Sequence, residues 1–166
     1  MAAAVFKGQA TSALDSKGRF SLPVLFRTVL AQTCDTSALV QLRADPERPY
    51  LSLFGDQMLS VFQTEIDEKA RIAATRGEEF DREMADADFF GSIEEASIDS
   101  GGRFTLPAKL REPYGIGDGV FLIGAGRLVQ IWSPERFLTS GAKNSLHLAA
   151  CEQFLAELAA KRGGKA

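Results

Sequence analysis

Lys17, Arg19 and Arg103 are the residues of this chain best placed to do chemistry, and they stand in a stretch that occurs twice. Leu14-Asp15-Ser16-Lys17-Gly18-Arg19-Phe20-Ser21-Leu22-Pro23 returns 84 residues later as Ile98-Asp99-Ser100-Gly101-Gly102-Arg103-Phe104-Thr105-Leu106-Pro107. Asp, Ser, Gly, Arg, Phe, Leu and Pro are identical in the two copies, and Arg27 and Arg111 extend the match. Such a repeat points to an internal duplication of one structural unit. An Arg held on a rigid turn can bond guanine O6 and N7 in a bidentate fashion, worth about 1–3 kcal/mol of base discrimination. Lys17 suits a phosphate, where position matters more than planarity. The plainer alternative is a solvated turn in which Arg19 pairs with Asp15. Duplication of the turn weighs against that alternative.

Other chemistries find less support. The single histidine, His147, has no Glu or second His at helical metal-binding spacing, so it reads as structural, and no metal or cofactor is implied. Gly115-Ile116-Gly117-Asp118-Gly119 precedes a strand instead of opening a helix, which fails the context of a dinucleotide loop. Asp15 and Asp99 would form a catalytic carboxylate pair only if the duplication brought them together, and each is better explained as the opening residue of a turn. The chain is expected not to be an enzyme. Cys34 and Cys151 share no ligand spacing and suit a reducing compartment. No basic region followed by a sustained apolar run opens the chain, which predicts a cytoplasmic protein.

The elements that must carry these residues follow from the same pattern. Asp15 and Asp99 bond their own backbone, Gly18 and Gly102 supply a positive φ, and Pro23 and Pro107 fit the first position of a helix. Each module therefore predicts strand, basic turn, strand and short helix, with the Arg just past a hairpin tip. Phe6–Leu14 and Phe20–Leu22 are the first two strands. Leu22, Leu25, Phe26, Val29 and Leu30 fall on one helical stripe, expected to be core. Ala38–Arg43 and Tyr50–Phe54 predict a second hairpin. Residues 57–87 read as one long helix or two broken near Gly77, with Met58, Leu59, Phe62 and Ile66 as the apolar edge. In the second half, the helix after Pro107 must stop at Pro113. Val120–Ile123 and Leu128–Trp132 flank a Gly124-Ala125-Gly126-Arg127 turn. Ser133 caps a helical turn, and a last helix spans about Asn144 to Arg162 with Cys151, Phe154, Leu155 and Leu158 on one face. Lys165 and Ala166 are expected to fray.

Charge is unevenly spread. The net charge of −3 hides a segment from Asp56 to Asp88 that carries −6, leaving +3 for the rest. One acidic face and one basic face are expected. Arg27 and Arg111, about one helix turn past each Pro, fit structural partners of acidic residues as well as they fit contacts.

Asp-x-x-Gly-Arg-x-x-x-Pro at Asp15–Pro23 and Asp99–Pro107, followed by Phe26-Arg27 and Leu110-Arg111, resembles the MraZ family of bacterial transcriptional regulators. Phe90-Gly91, Gly124-Ala125-Gly126 and Gln130-Ile131-Trp132 are also similar to that family, so the resemblance runs from about Phe6 to Phe137. It implies an α+β, AbrB-like swapped-hairpin fold, in which two pseudo-symmetric halves intertwine into one β-barrel with flanking helices. The division expected is 5–55 and 89–137 for the two halves, 56–88 for an acidic linking helix or helix pair, and 138–166 for a helical tail. It further implies a ring-shaped homo-oligomer that binds repeated double-stranded DNA elements upstream of the division and cell-wall genes, in the nucleoid, with no membrane or small-molecule partner. Carried over by position, the DNA-contacting loop is Lys17, Gly18 and Arg19, with Arg103 the counterpart. Gly101 replaces the cation of the first copy, so the two turns are not expected to contact DNA equally. The tail beyond about Phe137 is longer than the family core needs and is assigned to assembly. Two rivals remain: an antitoxin-like regulator gripping a protein partner through the helix after Gln57, and a scaffold ring that does not bind DNA.

Overall fold

Alternation of apolar and polar residues sets the strands, and the likeness of the two copies sets how they pair. The computed structural model describes residues 4–35 and 39–164. The expected strand start at Ala38 and the expected fraying of Lys165 and Ala166 lie outside the described residues. In chain order the elements are β1 (Gln9–Ala13), β2 (Arg19–Ser21), α1 (Val24–Gln32), β3 (Leu39–Ala44), β4 (Leu51–Phe54), α2 (Met58–Thr75) and α3 (Arg82–Phe90). They continue with β5 (Ile93–Ser97), β6 (Arg103–Thr105), α4 (Ala108–Arg111), a 3-10 turn (Glu112–Tyr114), β7 (Gly119–Gly124), β8 (Val129–Trp132), α5 (Pro134–Leu138) and α6 (Ser145–Gly163).

The fold is α+β with two antiparallel sheets. The larger sheet runs β1-β7-β8-β4-β3-β5, and β2-β6 forms the smaller. Replacing each strand by its counterpart in the other copy reverses the larger order without changing it, so the halves are related by an approximate twofold. They also trade strands. β1 of the first half lies on β7 of the second, and β5 of the second lies on β3 of the first.

That exchange changes the expected hairpin. The turn after β1 forms, but β2 leaves β1 and pairs with β6. A three-residue strand ended by proline offers a hairpin few ladder bonds. Pairing copy with copy instead stacks Phe20 against Phe104, with ring centroids 4.7 Å apart. Burying each ring is worth about 1.5–3 kcal/mol.

Period two then sorts the core onto both faces of the large sheet. Val120 and Leu122 of β7 join Leu51, Leu53, Phe20, Phe104, Phe26 and Leu110 in the main core. Phe121 of the same strand faces the other way, onto Trp132, Phe137 and Cys151 of a second cluster. Likewise Leu53 joins the main core while its neighbour Phe54 meets Phe62 of α2, ring centroids 5.0 Å apart. The ribbon β2-β6 and the helix α2 therefore lie on opposite sides of the sheet.

Several expectations shift. Phe26 and Leu30 of α1 are buried, but Leu25 is 44% exposed, because it sits one helical step off the stripe that they define. Of the two readings for the segment after Gln57, two helices is the one found: α2 ends at Thr75 with Arg76 as its C-cap, and Asp81 caps α3 by accepting a bond from the Met84 N–H. The tail packs part of its apolar face within the chain. Cys151, Phe154 and Leu158 of α6 are buried against the chain's own α5 and β7 side, and Arg162 pairs with Asp118. Among the described residues, no helix is long and apolar enough to cross a membrane.

Candidate nucleic-acid interface

The first turn is closed by its own aspartate. The Asp15 carbonyl accepts from the Gly18 N–H at 3.0 Å, and the Asp15 N–H donates to the Arg19 carbonyl at 3.1 Å. Asp15 Oδ1 accepts the N–H groups of Lys17 and Arg19, both at 2.9 Å, and Oδ2 accepts Arg19 Nε at 2.7 Å. The second turn repeats each bond. Asp99 Oδ1 accepts from Gly101 and Arg103 N–H at 2.9 Å, and Oδ2 from Arg103 Nε at 3.1 Å.

These bonds hold both carboxyls in the ionised form. The Arg19 backbone N–H, then its guanidinium, holds Asp15 down at about 2, and the Arg103 N–H holds Asp99 below its ordinary value. A general acid needs the opposite shift, so this geometry argues against a carboxylate pair working as acid and base.

β2 and β6 place the turns side by side. Arg19 pairs with Thr105, Phe20 with Phe104 and Ser21 with Arg103. The phenylalanines point inward, so Arg19, Ser21, Arg103 and Thr105 share the outer face of one ribbon. The ribbon is fastened at both ends, by Leu22 N–H on the Gly102 carbonyl at 2.8 Å and Leu106 N–H on the Gly18 carbonyl at 2.9 Å. Side chains of Arg19 and Arg103 are 57% and 72% exposed. Between the turns lies an open cleft of about 600 Å³ lined by both Asp–Arg pairs. Only Nε of each Arg is engaged within the described residues, which leaves the outer guanidinium edge of each directed away from its own carboxylate.

The expected site residues thus divide. Arg19 and Arg103 come together on the ribbon, and Lys17 stands exposed on the first turn. Gly18, expected in the contact loop, is buried with its N–H on the Asp15 carbonyl and its carbonyl on the Leu106 N–H, so it shapes the turn as Gly102 does. Asp15 and Asp99 open the turns by bonding their own backbone, while Pro23 and Pro107 stand one residue before the first helical position, as N-caps with ψ of 149° and 147°.

Arg27 and Arg111 do not meet acidic residues within the described structure. Arg27 Nη1 reaches the Ser100 carbonyl at 3.5 Å, and Arg111 Nε donates to the Leu106 carbonyl at 2.8 Å. Their crossing to the opposite half escaped sequence reasoning, as did the pairing of β2 with β6. The one available signal was the identical Arg-Phe-Ser/Thr triplet, which suits antiparallel pairing with its own copy.

The acidic helices lie across the sheet from this ribbon, and much of their charge is locally paired. Arg82 bonds Asp67 and Asp86, Arg71 bonds Glu68, and Arg127 bonds Glu65 while its guanidinium lies 4.9 Å from the Phe62 ring centroid. His147 packs near Phe121 and Phe137, both ring centroids at 6.3 Å. Among the described residues, no group of three or more His, Cys, Asp or Glu is arranged to hold a metal.

Comparison with known proteins gives this geometry a family. Residues 89–156 match the family model described as "MraZ protein, putative antitoxin-like". The chain is 34% identical over 159 residues to a transcriptional regulator MraZ of Ruegeria pomeroyi, covering 92% of this chain and 88% of the relative. A regulator of the same name from Xanthobacter autotrophicus is 33% identical over 156 residues, covering 94% and 90%. One from Beijerinckia indica is 35% identical over 134 residues, covering 81% and 77%. At such identity over most of its length, the chain belongs to the MraZ family of transcriptional regulators, which are not enzymes.

Proposed function

We propose that the outer face of the β2-β6 ribbon reads double-stranded DNA, with Arg19 and Arg103 at base edges and Lys17 on phosphate. The observation that carries this reading is the placement of both arginines on one exposed face of a single clamped ribbon. A two-stranded ribbon fits the major groove, and a guanidinium held by its own carboxylate enters with little left to order. The acidic helices on the far side of the sheet leave the working face cationic.

One protomer offers few phosphate contacts, too few for tight binding at physiological salt. A homo-oligomer, a ring in this reading, presents its ribbons to repeated promoter elements and gains affinity through effective concentration. The promoter assigned is that of the division and cell-wall genes, and the compartment is the cytoplasm, at the nucleoid. The two sheets are read as one swapped-hairpin barrel. Their common main core and the bonds fastening the ribbon ends support that reading.

The test is a titration of the protein against DNA from upstream of its own gene, as one repeat and as an array, from 50 to 200 mM salt. An affinity falling by orders of magnitude over that range, with the array bound far more tightly than one repeat, is the expected result. Arg19→Ala should remove most of the array binding. Array affinity and salt slope unchanged in that variant would overturn the reading.

A further inference from the structure

We propose that Arg27 and Arg111 are positioning residues that act across the molecule, each setting the turn of the opposite half. Arg111, on α4 of the second half, holds the Lys17-Gly18-Arg19 turn. Arg27, on α1 of the first, holds the Gly101-Gly102-Arg103 turn.

The contact at each glycine carries the inference. A Cβ on Gly18 would come within 2.5 Å of Arg111 Nε and 2.8 Å of its Cζ, so the guanidinium packs against a turn that only glycine leaves room for. A Cβ on Gly102 would collide with the Arg27 stem at Cδ and approach Nε to 2.8 Å. Both glycines have positive φ, 81° and 78°. The arrangement is therefore reciprocal, an expression of the duplication in side chains that the strand pairing alone does not require.

Backbone bonds complete each grip. Leu106 gives its N–H to the Gly18 carbonyl at 2.9 Å while its own carbonyl accepts Arg111 Nε at 2.8 Å, so Arg111 fixes the peptide on which the first turn hangs. Leu22 likewise gives its N–H to the Gly102 carbonyl, at 2.8 Å, but it is the Ser100 carbonyl that Arg27 reaches, with Nη1 at 3.5 Å. The grips are unequal. Arg27 Nε is buried with no hydrogen-bond partner among the described residues, whereas Arg111 Nε is satisfied. An unmade bond leaves the second turn the less firmly held. The firmer grip falls on the turn that carries Lys17.

Amide hydrogen exchange on the full chain tests the crossing without any ligand. Arg111→Ala is expected to speed exchange at Lys17, Gly18 and Arg19 by about tenfold or more and to leave residues 101–103 unchanged, because it removes the guanidinium packed on Gly18 and the charge-assisted bond to Leu106, the residue that holds the Gly18 carbonyl. Arg27→Ala is expected to do the reverse, with the smaller change. Acceleration confined to each arginine's own module, or none, would overturn the proposal. Should an alanine variant unfold, exchange rises along the whole chain, and Arg111→Lys and Arg27→Lys are read instead. These keep stem and charge but lose the planar fork, so the same crossed pattern is expected at lower amplitude, and its absence overturns the proposal.

The consequence for DNA rests on the function proposed above. In the array titration, Arg111→Ala should weaken binding several-fold with the salt slope unchanged. A slope reduced by about one would mark a direct phosphate contact and overturn the positioning role. If the unaltered protein binds no DNA, the DNA reading fails while the crossed exchange pattern still decides this proposal.

Discussion

The Asp15 turn and the Asp99 turn have one backbone design and different surroundings. Both close on an aspartate that accepts two backbone N–H groups and one Arg Nε, and both tuck a glycine under an arginine from the other half. The first keeps Lys17, has the shorter Asp–Arg bond (2.7 against 3.1 Å), and is backed by a satisfied arginine. The second has Gly101 where the first has the lysine and is backed by an arginine whose Nε finds no partner among the described residues. What the difference teaches is that duplication preserved the shape of the turn while its cation count and the firmness of its support diverged. Shape is held by backbone bonds that any copy must keep, whereas an exposed side chain such as Lys17 can change without cost to folding.

The largest expected effect comes from filling the glycines. Gly18→Ala adds an unfavourable positive φ and a Cβ 2.6 Å from the Leu106 carbonyl, and should cost about 2–4 kcal/mol in a urea titration. Gly102→Ala should cost less, since the nearest obstacle is the flexible Arg27 stem and the closest carbonyl, Leu22, stands at 2.9 Å. Equal costs would mean that the two turns are supported alike.

Next comes the loss of the outward arginines. Arg19→Ala should weaken binding to a single DNA repeat by about 1–3 kcal/mol, with Arg103→Ala weaker in effect, as measured by fluorescence anisotropy. A larger loss for Arg103 would reverse the assignment of the first turn as the principal reader.

Exchanging the one differing cation should have a smaller and reciprocal effect. Lys17→Gly should lower the salt slope by about one per turn engaged, and Gly101→Lys should raise it by about the same. Gly101 has room for the change, because a Cβ there meets nothing closer than Asp99 Oδ1 at 3.4 Å.

The smallest effect is that of pH. Because folding depresses the Asp15 pKa from 3.8 to about 2, the stability that it lends is fully present above 3.8 and lost as pH falls through about 2. Carbon-13 NMR of the carboxyls should show Asp15 titrating near 2, Asp99 also below its ordinary value, and no transition in either turn between pH 5 and 8.

Much of this was legible in the residues. The duplication, the turn chemistry, the stop at Pro113, the hairpin at Gly124–Arg127 and the cap at Ser133 rest on local backbone preferences, and each appears where those preferences put it. Leu25 was misjudged, and what covers the apolar face of the last helix was not legible, because apolar periodicity reports a buried face without naming what buries it. The burial of Gly18 was not legible, because a position within a turn does not say whether its atoms point outward.

By itself, the sequence determined that two like turns exist, which residues close them, and that cations ride on them, because those features depend on neighbours a few positions apart. Only the tertiary structure decided that β2 takes β6 as its partner, that Arg19 and Arg103 share one face, and that Arg27 and Arg111 reach across the twofold. Residues 84 positions apart meet only when burying two phenylalanines and completing a long sheet outweighs the entropy of closing so large a loop, and no local pattern records that balance.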